Sequence, residues 1–369
     1  MIANKVQVGI VGLGFGSNFI EIFRRHPHSE MRAICDVDQQ LLEKVQKKYS
    51  VPLAYNNFDD FIADQHIDAV LIMSPITRHY QMVKASLLAG KHTACAVPMA
   101  ETKEQCLDLV NQRQKSHKVY MMFETAAYTR TFLHVKNLRD TGQLGKIQFL
   151  RGSHQQNMSM PGWPSYWYGY PPMLYATHAL SPLLALAQKP VIKVVCYGSG
   201  TIREEYAKIY GSPFAVESAL MKLGDSDLAC EVTRSLFDTI RQYRESFDVY
   251  ADKLSFEWEQ IAGEGPVLFS GLEEAQRIQI PDYAHLLPEE IRIFTGGQVA
   301  DEKHASSIQG GGHGGSYPHM VHEFISAIIE DRKSEIDADV AANWTMAGIC
   351  AHESALQGGM TVEVPETKL

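Results

Sequence analysis

The run Val8-Gly-Ile-Val-Gly12-Leu-Gly14-Phe15-Gly16-Ser17 sets an apolar segment directly before a glycine cluster. Gly12 permits a tight turn, and Gly14 lets the backbone approach a pyrophosphate. The first helix, which opens after these glycines at Ser17, offers free N–H groups and a positive dipole end to phosphates. The usual G-x-G-x-x-G has its third glycine where Ser17 stands, and Gly16 comes one place earlier. Asp36 closes the next apolar run. A carboxylate there accepts hydrogen bonds from both ribose hydroxyls and repels a 2′-phosphate, which selects NAD over NADP. Its competing role is to cap the following helix, a position that suits Asp38 better. Ser74-Pro75 ends a third apolar run, where dinucleotides sit in doubly wound sheets. His79 follows at a helix start and reads equally as a cofactor-side residue or as a cap or core histidine.

The elements that position these residues follow from the hydrophobic pattern. Strands are expected at 5–11, 31–36, 69–74, 93–97 and 119–122, and helices at 17–25, 38–49, 58–64, 79–89 and 103–116. Such alternation implies a parallel sheet with helices on both faces and right-handed crossovers. After residue 122 the pattern changes. A helix at 132–141 precedes strands at 146–154, 192–198, 215–223, 229–237, 246–251 and 253–259, and helices at 317–330 and 340–357 close the chain. Short turns between those strands suggest a largely antiparallel sheet. The fold class read from the pattern is α/β, with a Rossmann doubly wound sheet over 1–122 and an α+β domain with a large, mostly antiparallel open sheet over 123–369.

Composition narrows the function. The 34 Lys+Arg against 43 Asp+Glu give a net charge of −9, which argues against a nucleic-acid or anionic-membrane partner. No apolar stretch reaches the roughly 18 residues of a transmembrane helix. The short run at 6–11 reads as a first strand and not a signal peptide, so a cytoplasmic protein is expected. Six scattered cysteines form no CxxC pair. His319 and His322 have helical spacing, but no HExxH completes a metal set, and no GxSxG elbow occurs. No metal is expected.

Gly12-Leu-Gly-Phe-Gly16, Ser74-Pro75 with His79, Ala89-Gly90-Lys91-His92 and Pro98-Met-Ala100 together resemble the Gfo/Idh/MocA oxidoreductases. That resemblance implies an NAD(P) domain followed by an open-sheet domain that often mediates homo-oligomers. It also places Pro98 beside the cofactor. The family usually has a catalytic lysine before that proline, and an aspartate four residues before a catalytic histidine. Here those positions hold Val97 and Leu174, and His178 alone remains. A narrower set looks like the NAD-dependent glycosidases of glycoside hydrolase family 109: Val97-Pro98, Met121-Met-Phe-Glu124 with Tyr128, Leu174-Tyr175-Ala-Thr-His178, and His313-Gly-Gly315. By that match Glu124 and His178 fall on catalytic positions, and a catalytic tyrosine falls near His154.

The chemistry implied is hydride transfer from C3 of a sugar or glycoside to NAD while a base takes the hydroxyl proton. An imidazole suits that step, which is worth ~10²- to 10⁴-fold. His178 is the first candidate base and His154 the second. Glu124 is the group that orients a sugar hydroxyl or sets a histidine tautomer. Tyr128, Tyr175 and His313 are candidate substrate contacts; tyrosines in such places more often pack or hydrogen-bond than donate protons, and the alternative for His313 is a flexible surface loop. The aromatic stretch with Trp163, Tyr166, Trp167 and Tyr168 can stack on a sugar or aglycone, or form a subunit interface. Three outcomes remain open: release of a 3-keto-glycoside, elimination and hydride return as in the glycosidases, or a non-catalytic NAD-binding sensor or scaffold.

Overall fold

The computed structural model describes residues 5–239, 241, 243–271, 273–296 and 312–367. The chain divides into two compact units, Met1–Thr129 with Asp282–Ala342, and Arg130–Pro281 with Asn343–Leu369. Each is built from two stretches of chain, whereas the hydrophobic pattern suggests a single break after residue 122. Packing explains the difference. The helix Gly312–Ile329 sets Tyr317 against Phe19, with ring centroids 4.8 Å apart, and Phe324 against Phe123 at 6.0 Å. Local periodicity carries no record of such distant partners.

In the first unit β1 (Val6–Val11), β2 (Ser29–Cys35), β3 (Leu53–Tyr55), β4 (Ala69–Ile72), β5 (His92–Ala96) and β6 (Tyr120–Phe123) form a parallel sheet in the order β3-β2-β1-β4-β5-β6. Every residue of β4 and β6 is buried, as expected of parallel strands covered on both faces. The direction of progression reverses at β1, which makes the space beyond the carboxyl ends of β1 and β4 the switch point for ligands. The sequence pattern misses only β3, a three-residue edge strand.

A histidine pair ties the turn before β2 to the late helix within this unit. The His28 backbone N–H donates to His26 Nδ1 at 3.2 Å, which leaves His26 Nε2–H to donate to His322 Nδ1 at 3.0 Å. This arrangement uses the neutral rings. Burial, reinforced by His322, lowers the His26 pKa to about 3, and burial lowers that of His322 too.

In the second unit β7 (Ile147–Gln156), β8 (Val191–Ser199), β9 (Val216–Leu223), β10 (Ala229–Ser235), β11 (Tyr243–Ala251), β12 (Ser255–Glu257), β13 (Val267–Phe269), β14 (Ala275–Arg277) and β15 (Val362–Glu363) form one sheet. Its order is β14-β13-β12-β11-β7-β10-β9-β8-β15. Among the described residues only β7 and β10 pair in parallel, and the other neighbours are antiparallel. β9 alternates buried and exposed residues, the mark of a sheet with one covered face. The helix Thr177–Ala187 lies on β7, and it is absent from the sequence reading because Pro182 stands inside it. Close approach is possible because β7 carries Gly152: a Cβ there would lie 1.9 Å from the Ala179 carbonyl oxygen. Among the described residues no helix is long and apolar enough to cross a membrane.

Two outcomes follow. The histidine rings bind protons more readily unfolded, near pH 6.5, than folded, near pH 3 for His26. Their stability contribution is therefore complete above pH 6.5 and is lost as pH falls toward 3. Urea midpoints should fall across that window, and less so in His26→Asn; equal slopes in both proteins would contradict this. Gly152→Ala should lift the helix from β7 and cost about 1–3 kcal/mol by overpacking. An unchanged urea midpoint would contradict that packing.

Candidate functional site

The dinucleotide loop of the first unit is built as its glycines require. Gly12 has φ +85°, and a Cβ on it would lie 2.4 Å from the Met73 carbonyl oxygen. A Cβ on Gly16 would meet Ile10 at 2.9 Å, so this glycine lets the first helix sit against β1. A Cβ on Gly14 would meet nothing within 4 Å, and no side chain caps the helix Leu13–Gly16. That is an approach open to an anion at a helix N-terminus. Asp36 lies at the carboxyl end of β2. One of its oxygens accepts from the Leu13 backbone N–H at 2.7 Å and the other from the Asp38 N–H at 2.9 Å. Asp38 caps the helix Gln39–Tyr49, which separates the capping task from Asp36. These residues fit an NAD pyrophosphate and adenosine ribose.

Ser74 and Pro75 follow β4, and Pro98 follows β5 through a cis Val97–Pro98 bond. His79 joins the two strand ends, with Nδ1 2.7 Å from the Pro98 carbonyl and Nε2 2.9 Å from the Ser74 carbonyl. Burial lowers its pKa while the two carbonyls oppose the shift. Both ring nitrogens of His79 thus face backbone carbonyls.

Other singled-out residues of this unit also have defined places. Glu124 is buried and caps the turn after β6, accepting from the Ala126 N–H at 2.9 Å. Tyr128 is buried with its hydroxyl toward Glu335, and burial raises its pKa well above the usual tyrosine value. Both side chains are thus buried, and Glu124 caps the turn. His313 lies in no surface loop. It is 6% exposed, has φ +44°, and stands among Gly312, Gly314 and Gly315, which also have positive φ. Its Nδ1 is 2.7 Å from the Tyr317 hydroxyl, and Phe15 of the glycine loop packs edge-on against both rings. A non-glycine residue held at positive φ is strained backbone of the kind that collects at functional sites.

The second unit holds a separate polar cluster. Across one face of its sheet, register aligns Glu217 of β9, Arg234 of β10, His154 of β7 and Glu245 of β11 as successive cross-strand neighbours. The first turn of the helix above adds His178. His154 and His178 pack edge to face with centroids 5.1 Å apart. A single oxygen, Glu245 Oε1, lies 3.8 Å from His154 Nε2 and 3.9 Å from His178 Nδ1, and accepts from the Tyr243 hydroxyl at 2.5 Å. His178 Nε2 is 3.0 Å from the Tyr175 hydroxyl. The separations to Glu245 exceed hydrogen-bond length, so at rest it acts as a neighbouring charge.

Arg234 is fully buried beneath this cluster. Its Nε donates to the Tyr175 carbonyl at 2.9 Å, Nη1 to the His154 carbonyl at 3.0 Å, and Nη2 to Gln156 Oε1 at 3.0 Å. Burial lowers its pKa to about 10, so it keeps its charge at neutral pH. Glu217 accepts from the Met173 N–H and from His352 Nδ1, each at 2.7 Å, and so holds the base of the same loop.

The aromatic stretch roofs this loop. Trp167 is buried and packs on Tyr175 with centroids 4.7 Å apart, and Tyr168 stacks on Tyr206 at 4.9 Å. Trp163 and Tyr166 remain half-buried. Tyr206 and Tyr210 belong to a helix, Glu204–Tyr210, that the sequence pattern misses, and Tyr210 donates to the Tyr166 carbonyl at 2.7 Å. Sequence reasoning also misses Arg234, Tyr243 and Glu245. The signal available was period-2 spacing, since Tyr243 and Glu245 share a face of β11 as His154 and Gln156 share one of β7. Among the described residues no group of three or more His, Cys, Asp or Glu is placed to hold a metal ion.

Residues 6–124 match the Gfo/Idh/MocA oxidoreductase family, NAD-binding Rossmann fold. Glycosyl hydrolase family 109 protein 5 of Phocaeicola vulgatus is 30% identical over 202 residues, covering 48% of this chain and 39% of that protein. The chain thus spans less than half the length of that curated relative. An oxidoreductase from Agrobacterium radiobacter, solved in complex with NAD+, L-tartaric acid and magnesium, superposes with TM-score 0.80 at 15% identity, covering 98% of this chain and 99% of the other. A scyllo-inositol dehydrogenase from Lactobacillus casei, solved with bound NAD(H) and scyllo-inositol, gives 0.75 at 18% identity, with 98% and 99% covered. At such identities the solved structures show the fold.

The loop geometry predicts cofactor selection. Calorimetry should find NAD binding much tighter than NADP binding. Asp36→Ser should weaken NAD by roughly tenfold to a hundredfold, the range for a lost charge-assisted hydrogen bond, and narrow the gap to NADP. Equal NAD affinity in variant and wild type would remove Asp36 from ribose recognition.

Proposed function

We propose that this chain, whose residues 6–124 match the Gfo/Idh/MocA family of oxidoreductases with an NAD-binding Rossmann fold, oxidises a sugar or glycoside at C3 and releases the 3-keto product. The observation that carries the reading is the pair of buried imidazoles facing one carboxylate in the second unit, in a chain whose Ala96-Val97 leaves no lysine before Pro98. A secondary alcohol is a very weak acid, so its proton must be met in the transition state. An imidazole beside a carboxylate does this at neutral pH, and Glu245 stabilises the imidazolium that forms.

NAD, when bound, serves as the electron sink for the carbinol hydrogen. Gly12, Gly14, Phe15, Gly16 and Asp36 are the residues assigned to hold it, with Ser74, Pro75 and Pro98 at the strand ends. His79 orients those ends. His178 is the proton acceptor, and His154 shares its carboxylate. Trp163 and Tyr166 provide half-buried rings suited to the apolar face of a sugar or its aglycone.

A second reading is a glycosidase that oxidises C3 transiently, eliminates the C1 substituent, adds water and returns the hydride. The match to the family 109 glycosyl hydrolases favours it. One assay separates the two: purified protein, a glycoside panel and NAD, followed for NADH absorbance and free aglycone together. NADH accumulating without aglycone is the expected result, and aglycone without net NADH would establish the glycosidase. Silence on both channels, with NAD bound, would replace both readings by a sensor or scaffold. On an active substrate, His178→Ala should abolish turnover and leave NAD affinity near wild type. Retained turnover would remove His178 from the mechanism.

A further inference from the structure

In the second unit the two nitrogens of His178 are both directed at protein groups, Nε2 at the Tyr175 hydroxyl and Nδ1 at Glu245. The ring is 6% exposed, while Tyr175 is only half-buried. With Tyr175 O–H donating to Nε2, the remaining ring proton sits on Nδ1 and points at the carboxylate, the one neutral tautomer that suits both neighbours. Tyr175 is itself tightly set. Arg234 holds its backbone carbonyl at 2.9 Å and lies 5.1 Å from the centre of its ring, and Trp167 packs on that ring. A fixed guanidinium over the phenol meets negative charge as it develops on the oxygen.

We propose that Tyr175 is the group that touches the reacting hydroxyl, and that Tyr175, His178 and Glu245 form a proton relay in which His178 acts from behind. The inference rests on the sugar-oxidation reading above. The substrate O–H bond breaks and its proton bonds to the Tyr175 oxygen. In the same event the tyrosine's own proton passes to His178 Nε2. The carbinol hydrogen leaves with its electron pair to NAD, and the C=O bond forms. The tyrosine is neutral before and after, and the relay's net change is one proton on His178, which water removes between turnovers.

Glu245 is the positioning residue of this relay. The groups that face it are His154 from β7, His178 from the helix above, Tyr243 from its own strand, and the charge of Arg234 from β10. One carboxylate between two imidazoles, with a guanidinium already present, compensates a single added proton. His154 and His178 are therefore coupled through that carboxylate, so that protonating either ring opposes protonating the other.

Two measurements test the relay. On a substrate that wild type oxidises, Tyr175→Phe should lower kcat at least a hundredfold with NAD affinity within twofold of wild type. Glu245→Gln should move the acidic limb of the kcat profile down by at least one pH unit, and Glu245→Asp should restore part of the shift. A Tyr175→Phe enzyme within threefold of wild type would overturn the relay while leaving the oxidation reading intact. If no glycoside is oxidised by wild type, the oxidation reading fails, and nitrogen-15 histidine NMR on the cofactor-free protein still decides the relay. There the His178 Nε2 resonance should shift in Tyr175→Phe, and the shared titration midpoint should fall in Glu245→Gln. Unmoved resonances and an unmoved midpoint would overturn it.

Discussion

Arg234 has no access to water, and a guanidinium in that position must have its N–H groups met by protein oxygens or destabilise the fold. The oxygens that meet it are the carbonyls of Tyr175, His154 and Ser235 and the amide of Gln156. Satisfying one buried cation thus fixes the backbone of the loop that carries Tyr175 and the strand that carries His154. The acids follow from the same constraint. Glu217 and Glu245 flank the Arg234–His154 pair in the cross-strand row, so the buried positive charge is bracketed by carboxylates. One of them anchors the loop through Met173 and the other faces the imidazoles.

The first unit obeys a different constraint, the exclusion of side chains. Gly12 and Gly16 are glycines because a Cβ would strike Met73 or Ile10, whereas Gly14 leaves open the approach that a pyrophosphate takes. The late helix contributes His313 and Tyr317 against Phe15, so the loop is held by residues far along the chain. Position is set by packing in this unit and by charge compensation in the other.

This contrast explains what was legible in the sequence. Apart from its edge strand β3, the parallel sheet could be read because strands such as β4 and β6 are continuous apolar runs and helices such as Gln39–Tyr49 and Lys103–Ser116 carry caps in Asp38 and Thr102. The glycine loop and Asp36 could be read because their chemistry is local. His178 and His154 were found through resemblance to known motifs, but the carboxylate between them was not, since Glu245 reaches them only through β7–β11 register. The helix under His178 was hidden by Pro182, and the return of residues 282–342 to the first unit was hidden because its partners lie early in the chain. Local rules found what is local, while cross-strand neighbours required the folded chain.

In the proposed reaction a carbon-bound hydrogen moves from C3 of a sugar ring to NAD. The most direct measurement uses a glycoside carrying deuterium at C3 alone, with mass analysis of the reduced cofactor. Deuterium is expected in the NADH, and none when the label sits at C2. Label arriving from another carbon, or unlabelled NADH from the C3-deuterated sugar, would contradict it.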